Sequence, residues 1–207
     1  MMKLLKALAL AAVAAAALMA TVGAGSAAAT ETALCNSPTT NLGVPVCANQ
    51  HLWEAGTVVH AASETFLVIE TDLGTLECEE STIKVATEKT TAKPLGAKVE
   101  SLTFSKCGEA TITTVEPGTL DITIIDVPAW THDGTLTFTG TKIKVVTFGL
   151  ECSYALGHAG RLTGAETATI DLAGTATKIG GSFFCPAQAR YLGFYKVTES
   201  PPIYVST

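Results

Sequence analysis

The chain has few charged and few aromatic side chains, and its basic residues are outnumbered by acidic ones. Of its 207 residues, 15% are charged and 6% are aromatic, with 13 Lys and Arg against 19 Asp and Glu. Two of the lysines, Lys3 and Lys6, lie near the start, which leaves 11 basic and 19 acidic residues, a net charge of −8, in the rest. So acidic a protein lacks the basic patch that binds nucleic acid or an anionic membrane surface. We therefore expect neither nucleic acid nor membrane among the partners of the mature protein.

A long apolar run is absent after residue 30, and the run before it has the order of a secretory signal peptide. Lysines precede an apolar run at 7–19, and small residues fill 23–29. A cleaved leader has this order, with a cleavage site of small residues at 27–29. The alternative is a retained anchor, but a spanning helix needs about 20 apolar residues, and this run is shorter. The sequence predicts a signal peptide at 1–29 and a single domain at 30–207, in a protein that is secreted, extracellular or held in the cell envelope.

Helical periodicity with caps is also absent from the mature part, where strand signals replace it. Leu120, Ile122 and Ile124 alternate with polar residues, as in a half-buried strand. About ten short segments of this kind, separated by turns, predict an all-β fold, either an antiparallel β-sandwich or a partly closed barrel. Segment 30–50 contains two prolines, two cysteines and no periodicity, and we expect a looped N-terminal segment there.

A change in alternation marks a turn in the second half of the chain. Leu136 and Phe138 share one parity, whereas Ile143 and Val145 take the other. Such a switch at Gly140 indicates either a two-residue hairpin turn or a β-bulge. We favour the hairpin, in which the two flanking strands pair with each other.

Six cysteines, an even number, all follow the predicted leader. An exported chain meets an oxidising environment, in which disulfides persist. Zinc is the competing interpretation, but the chain has no C-x-x-C or paired-histidine spacing, so we expect no metal and no cofactor. Nested pairs would satisfy the sequence as well, and we favour the sequential pairs Cys35–Cys47, Cys78–Cys107 and Cys152–Cys185.

The tripeptide Leu76-Glu77-Cys78 has a near repeat in Leu150-Glu151-Cys152. Each copy closely follows a glycine and an apolar run, and each begins a stretch that ends in a Phe-containing segment and a second cysteine. The repeat predicts two similar β units, each held by a disulfide. Chance similarity between strands of biased composition is the alternative.

Acidic residues beside these cysteines are the first candidates for chemistry. Glu77 and Glu79 would share one face of a strand and offer oxygens to a calcium ion, although isolated acids on a sheet are usually solvated. Glu77 and Glu151 occupy equivalent places in the repeat, and two carboxylates about 5–10 Å apart permit glycosidase chemistry. We retain Glu77 and Glu79 as ligand candidates and name no catalytic residue.

The segment containing Trp130, His132 and Asp133 is the second candidate, because binding residues concentrate in loops. A His beside an Asp is compatible with acid–base chemistry, but adjacent residues on a turn rarely point together. No G-x-S-x-G motif or reactive cysteine accompanies them, and the other histidines are dispersed. The alternative is a turn with a solvated His and a packed Trp.

Aromatic side chains are the third candidate. Rings on a flat surface would bind sugars, whereas aromatic residues of a β-rich core mostly bury apolar area, and we favour core packing. The residues concerned are Trp53, Trp130, Tyr154, Tyr191, Tyr195 and Tyr204.

Several short motifs, taken in order along the chain, resemble a known family. They are His51-Leu-Trp-Glu-Ala-Gly-Thr-Val-Val-His60, Ser101-Leu-Thr-Phe-Ser-Lys-Cys107, Cys185-Pro-Ala-Gln-Ala-Arg-Tyr191 and Pro201-Pro-Ile-Tyr-Val205. Together they resemble a family of uncharacterised exported β-rich proteins that occur as many paralogues in soil actinobacteria. The family has no established activity, so the resemblance implies export and an all-β fold and identifies no catalytic residue.

These observations favour a non-enzymatic all-β module, secreted or in the cell envelope, with a binding or structural role. Its expected partner is a glycan or another cell-envelope component. The alternative is a small extracellular hydrolase acting on polysaccharide or peptide. That alternative requires a concave site joining Glu77, Glu151 or the His132-Asp133 turn.

Overall fold

In the computed structural model, the described residues are 31–41, 44–125 and 132–206, and the predicted signal peptide at 1–29 lies outside them. The described part contains a short 3₁₀ helix, Asn49–His51, and no helix that is long and apolar enough to cross a membrane. It contains eighteen strands, which in chain order are β1 (Thr32–Cys35), β2 (Pro38–Asn41), β3 (Val44–Cys47), β4 (Val58–Ser63), β5 (Leu67–Thr71), β6 (Gly74–Cys78), β7 (Glu80–Thr87), β8 (Thr91–Ala92), β9 (Leu95–Ser105), β10 (Thr111–Glu116), β11 (Thr119–Ile124), β12 (Gly134–Thr139), β13 (Lys142–Thr147), β14 (Leu150–Leu156), β15 (His158–Thr163), β16 (Thr169–Gly181), β17 (Gln188–Glu199) and β18 (Tyr204–Ser206).

Eight of these strands close into an antiparallel barrel. Their order is β16-β15-β12-β11-β9-β7-β4-β17, and β17 pairs back onto β16 over nine residue pairs, from Thr169 with Lys196 to Thr177 with Gln188. The all-β class is thereby confirmed, whereas the sandwich is not, because one continuous sheet closes on itself. Closure removes the unpaired edges that an open sheet would leave.

The β16–β17 hairpin is longer than the barrel. β16 pairs with β15 as far as Leu172 and with β14 from Ala176 onward. β17 pairs with β5 at 190–192 and with β4 from Tyr195 onward. Beyond the barrel, therefore, the hairpin carries β14, β13 and β10 on one side and β5 and β6 on the other. We call these five strands, with the adjoining ends of β16 and β17, the open half.

Two of the short connections between the barrel and the open half lie side by side. The hairpin predicted at Gly140 is wrong, because β12 lies in the barrel and β13 in the open half, and the change in parity accompanies this change of place. The connection from β10 to β11 passes beside it at Gly118, whose φ is +64° and where a Cβ would collide with the backbone of Thr139. The hydroxyl of Thr141 donates a hydrogen bond of 2.6 Å to the Pro117 carbonyl, which joins the two connections.

The segment at 30–50, predicted to be a loop, contains three strands instead. β1 is buried along its whole length and pairs with β18 on one side and β8 on the other. The Thr32 hydroxyl accepts a hydrogen bond of 3.2 Å from the Ile124 amide, which links β1 to the barrel strand β11. The prediction failed because a strand buried on both faces shows no alternation. Pro38 and Pro45 lie in a separate two-stranded ladder, where edge positions tolerate proline.

The disulfides have the predicted sequential pairing, and two of the three lie in the open half. One of these joins the last residue of β6 to the connection between β9 and β10. Because β6 and β10 are the two edge strands of the open half, this disulfide links one edge strand to the segment that leads into the other. The other joins β14 to the loop between β16 and β17. The repeated Leu-Glu-Cys tripeptides lie in β6 and β14, on opposite sides of the β16–β17 hairpin. The three pairs are Cys35–Cys47, Cys78–Cys107 and Cys152–Cys185.

Side chains fill the interior of the barrel. Alternate residues of its strands are buried, because a strand directs successive side chains to opposite faces. An eight-stranded barrel is just wide enough for such side chains to fill it. The buried residues of the barrel strands include Val59, Ile83, Val85, Ala97, Val99, Leu120, Ile122, Leu136 and Ile170.

Candidate ligand-binding cavity

A cavity of about 680 Å³ lies among the strands of the open half. Its volume falls within the range of about 300–1,000 Å³ that is typical of small-molecule sites. Part of the lining comes from the barrel strands where the two regions meet, at Leu102, Phe138 and Leu172. Apolar side chains of the open half form much of the remainder, including Leu67, Ile69, Ile143, Val145, Ala176 and Ala189.

Strand alternation explains why this lining is apolar. In β13, Ile143 and Val145 are buried and line the cavity, whereas the intervening Lys144 forms an ion pair of 2.9 Å with Glu151 of β14. A period of two places alternate residues on one face of a strand. The same period that directs Ile143 into the cavity therefore directs Glu151 and its partner away from it.

Small residues leave space along the β16–β17 hairpin. Ala176 and Ala189 are cross-strand partners, and both line the cavity. Gly174 lies opposite Tyr191, and a Cβ on Gly174 would collide with the tyrosine ring. Glycine thus lets the ring lie across β16, where its hydroxyl donates a hydrogen bond of 2.5 Å to the backbone carbonyl of His158. Tyr191 is fixed in this way, and the two alanines leave the space beside it unfilled.

Three tyrosines, Tyr154, Tyr191 and Tyr195, are part of the lining. The Tyr195 hydroxyl donates a hydrogen bond of 2.6 Å to Ser81, and burial raises the pKa of Tyr195 to about 12. Burial also raises the pKa of Tyr191 and the pKa of Tyr154. Tyr154 is only 4% exposed, and its hydroxyl forms no hydrogen bond to another described residue. All three side chains stay neutral near pH 7, and the Tyr154 hydroxyl is free to bind a ligand.

Exposed apolar side chains mark the mouth of the cavity. Phe66, Leu73 and Phe148 line it although they are 53%, 69% and 83% exposed. Contiguous exposed apolar residues commonly mark binding sites on soluble proteins. Phe148 and Gly149 form the turn between β13 and β14, with φ of +48° and +75°. A bulky residue seldom adopts a positive φ, and backbone strain of this kind concentrates at functional sites.

The charged residues of the mouth are mostly acidic. Glu77, Glu79, Glu109 and Lys106 are exposed and line the cavity. The ammonium of Lys106 lies 3.8 Å from a carboxylate oxygen of Glu79 and donates a hydrogen bond to Glu80. That hydrogen bond lowers the pKa of Glu80 and raises the pKa of Lys106. Lys106 is therefore held by neighbouring carboxylates, and the described side chains of the mouth keep a net negative charge.

The structure separates the acidic residues that the repeat placed in equivalent positions. Glu77 and Glu79 both line the mouth, but they do not share one face of a strand as predicted, because β6 ends at Cys78 and Glu79 follows it. Glu151 is exposed, is paired with Lys144 and is not part of the lining. Within 31–41, 44–125 and 132–206, no group of three or more His, Cys, Asp and Glu is placed to hold a metal ion.

The second candidate, around His132 and Asp133, lies away from the cavity, and Trp130 lies outside the described residues. Asp133 is buried, binds the Arg161 guanidinium and accepts a hydrogen bond of 3.0 Å from the Gly164 amide. It therefore ties the start of β12 to the connection after β15. His132 is partly buried instead of solvated, its ring meets Tyr204 edge-on at 5.3 Å, and desolvation lowers its pKa.

Core packing, the favoured interpretation of the aromatic candidates, holds for the four that are buried: Trp53, Tyr154, Tyr191 and Tyr195. The three tyrosines among them also line the cavity. Sequence reasoning did not identify Leu73 or Phe148 as site residues. Their positions in the sequence could have identified them, because each is a large apolar residue in a hairpin turn, where small or polar residues are usual.

The chain matches none of the protein-family models, curated proteins or solved structures with which it was compared. Function is therefore inferred from the site, since one fold hosts many functions. The features that bear on it are the apolar lining, the free hydroxyl of Tyr154 and the acidic mouth with its exposed apolar residues.

Proposed function

We propose that this protein is a non-enzymatic binding protein that holds an apolar small molecule in the cavity of the open half. The observation that carries the proposal is the apolar lining of the 680 Å³ cavity. Small-molecule sites combine apolar walls with a few polar groups that orient the ligand. The Tyr154 hydroxyl is such a group, and the exposed rings at the mouth offer a first contact for an apolar molecule.

The apolar walls of the cavity support a more specific partner than the glycan or other cell-envelope component expected from the sequence. Walls formed by residues such as Leu67, Ile69 and Ile143 favour a lipid-like component of the cell envelope over a glycan. A buried glycan would need polar partners for its hydroxyl groups, because burying a hydroxyl without a hydrogen bond is unfavourable. An apolar chain, in contrast, gains about 25 cal/mol for each Å² of surface removed from water.

The hydrolase alternative gains no support from the lining. A hydrolase needs an acid and a base or nucleophile that converge on one substrate. Glu77 lies at the mouth of the cavity, whereas Glu151, His132 and Asp133 do not line it.

We also propose that the protein is exported and acts outside the cytoplasm. The leader-like order of residues 1–29 supports this, as do three disulfides, which persist in oxidising compartments. The resemblance to exported actinobacterial paralogues is compatible with it and stays a prediction. Expression of the full chain in a secreting bacterial host, followed by mass spectrometry, should give a mature N terminus at Thr30. Retention in the cells with residues 1–29 intact would contradict export.

Titration with Nile red, a neutral apolar dye that becomes fluorescent in apolar surroundings, tests the binding function. The wild-type protein should bind the dye saturably. Ala176→Trp places a large ring in the cavity and should weaken binding at least about tenfold, equivalent to about 1.4 kcal/mol. Thermal unfolding of the variant should stay close to wild type, because the added ring fills existing space.

Thr177→Trp is the matched control, since Thr177 is the next residue of β16 and its side chain is on the exposed face. This variant should bind Nile red as the wild type does. Equal dye binding by folded Ala176→Trp and wild-type protein would show that the dye occupies another place. The absence of saturable binding to wild type would argue against the proposed function itself.

A further inference from the structure

The interior and the mouth of the cavity together restrict the charge of the ligand, an inference that rests on the proposed function. We infer that the cavity selects uncharged or cationic amphiphiles and discriminates against anionic ones with the same apolar chain. Two independent features support this selectivity: Tyr154, a lining residue whose hydroxyl has no partner among the described residues, and the balance of charge at the mouth.

Tyr154 indicates that the ligand carries a hydrogen-bonding group as well as an apolar body. Its side chain is more than nine-tenths buried and lines the cavity, and its hydroxyl has no partner among the described residues. A tyrosine hydroxyl both donates and accepts, so it pairs with an alcohol, an amine or a carbonyl group. Leaving such a group unpaired when a ligand displaces water is unfavourable. A ligand with a polar atom at this point avoids that cost.

The described residues place no cation inside the cavity to balance a negative charge. Among the described lining residues, Lys106 is the basic side chain, and it lies at the mouth. Its ammonium is already engaged by Glu79 and Glu80. Burial of an anionic group without a partner is strongly unfavourable, so an anionic head group would have to stay outside the walls.

The mouth is a poor place for such a head group as well. Glu77, Glu79 and Glu109 line it with Lys106, which leaves an excess of negative charge. A carboxylate head group there is repelled, whereas an ammonium group is attracted and an alcohol is unaffected. All four side chains are exposed, so salt should weaken the discrimination.

Displacement of Nile red by decanol, decylammonium and decanoate tests the inference, because the three compounds share one alkyl chain and differ in head-group charge. All are used below their micellar concentrations and at low ionic strength. Decanol and decylammonium should displace the dye at concentrations about five- to tenfold lower than decanoate. The difference should narrow as salt is added.

Three variants connect the result to the named residues. Glu77→Gln with Glu109→Gln should reduce the preference against decanoate by about threefold, with each displacement corrected for the Nile red affinity measured on the same variant. Glu54→Gln with Glu166→Gln removes the same charge at exposed positions outside the lining and should leave the preference intact. Tyr154→Phe should weaken decanol about fivefold, since the alcohol loses its hydrogen-bond partner.

The outcomes separate the inference from the proposed function. Equal displacement by all three compounds, or preferred binding of decanoate, would overturn the inference while the cavity still binds apolar molecules. If Glu54→Gln with Glu166→Gln reduces the preference against decanoate as much as Glu77→Gln with Glu109→Gln does, the charge of the mouth is not its source. If neither the dye nor any amphiphile binds, the proposed function fails first.

Discussion

The barrel and the open half share the β16–β17 hairpin, yet their interiors differ. In the barrel every strand has a partner on both sides, and inward side chains such as Val99 and Leu136 fill the space. In the open half, the edge strands β6 and β10 each have a single ladder partner among the described strands. The Cys78–Cys107 disulfide ties β6 to the chain that leads into β10. Similar side chains with the same alternation therefore surround a filled interior in one region and a cavity in the other.

The difference shows that strand pairing, and not hydrophobicity, determines where the cavity lies. A closed ring of paired strands has a radius set by strand number and stagger, and this radius suits packed side chains. The open half lacks that constraint, and Ala176 and Ala189 occupy positions where larger residues would fill the interior. A disulfide limits how far the edges separate but does not fix their distance as a ladder does.

Removal of the Cys78–Cys107 disulfide should have the largest effect on the open half. In Cys78→Ala with Cys107→Ala, loss of a bridge between residues 29 apart should lower the free energy of unfolding by about 3–4 kcal/mol. Nile red affinity should fall at least about tenfold, because the residues of the mouth are no longer held together. Guanidinium unfolding and dye titration measure the two effects.

The Cys35–Cys47 bridge provides the control, with its partners 12 residues apart and outside the cavity lining. Its removal should lower the free energy of unfolding by about 2–3 kcal/mol and leave dye affinity unchanged. If both double variants retain wild-type dye affinity, the disulfide does not maintain the cavity.

Truncation of matched isoleucines compares the packing of the two interiors. Ile122 of the barrel and Ile143 of the open half are both 4% exposed. Ile122→Ala should cost about 3–4 kcal/mol, because it removes packed contacts and creates a new cavity. Ile143→Ala should cost about 1–2 kcal/mol, because a side chain bordering a cavity has fewer contacts to lose. Equal losses in guanidinium unfolding would mean that the open half is packed as tightly as the barrel.

Alkaline pH should weaken the contact between the two regions through Tyr195. This residue pairs with β4 of the barrel and also lines the cavity, and burial raises its pKa to about 12 from 10.0. The raised pKa favours the neutral side chain in the folded state. The contribution of Tyr195 to the free energy of unfolding is therefore fully present below about pH 10. It declines by about 1.4 kcal/mol per pH unit up to about pH 12.

Unfolding free energies measured across this range should fall less steeply with pH in Tyr195→Phe than in wild type. The slope is the informative quantity, because loss of the hydrogen bond to Ser81 lowers stability equally at every pH. Tyr204→Phe, at a partly exposed position outside the lining, serves as the control. A Tyr195→Phe slope equal to that of wild type would exclude this residue as the source.

Replacement of Phe148 should have the smallest effect on stability, and in the opposite direction. Asn tolerates a positive φ better than Phe, so Phe148→Asn should stabilise the β13–β14 turn by up to about 1 kcal/mol. Nile red affinity should fall about threefold, because an exposed ring at the mouth is lost. Parallel losses of stability and affinity would mean that Phe148 packs against the protein and does not serve the ligand.

Much of the strand content follows from local alternation. Leu120, Ile122 and Ile124 alternate as predicted, and they lie in a half-buried strand, β11. The closure of the barrel cannot be predicted from local alternation, because it depends on pairs of residues that are far apart in the sequence, such as Tyr195 with Ser63. Alternation specifies which face a residue occupies but not which strand lies beside it. The sequence therefore predicted about ten strands where the described residues form eighteen, and the missed strands include β1, which is buried throughout.

The cavity could not be predicted from residue types. Ile143 and Ile122 have the same side chain, the same exposure and similar polar neighbours, yet one lines a cavity and the other fills the barrel. The distinction arises from the ring of strands around each, which is a property of long-range pairing. Leu73 and Phe148 are better sequence indicators of the cavity than these isoleucines, since a large apolar residue in a tight turn has no role in packing the core.

The β16–β17 hairpin makes the cavity and the barrel parts of one cooperative unit. Its nine residue pairs run without interruption from one region into the other, so opening of the hairpin exposes both. Occupancy of the cavity should therefore slow amide hydrogen exchange in β15, which pairs with β16 but contributes no residue to the lining. A bound ligand would thus be detected as reduced backbone opening in a strand that it does not contact.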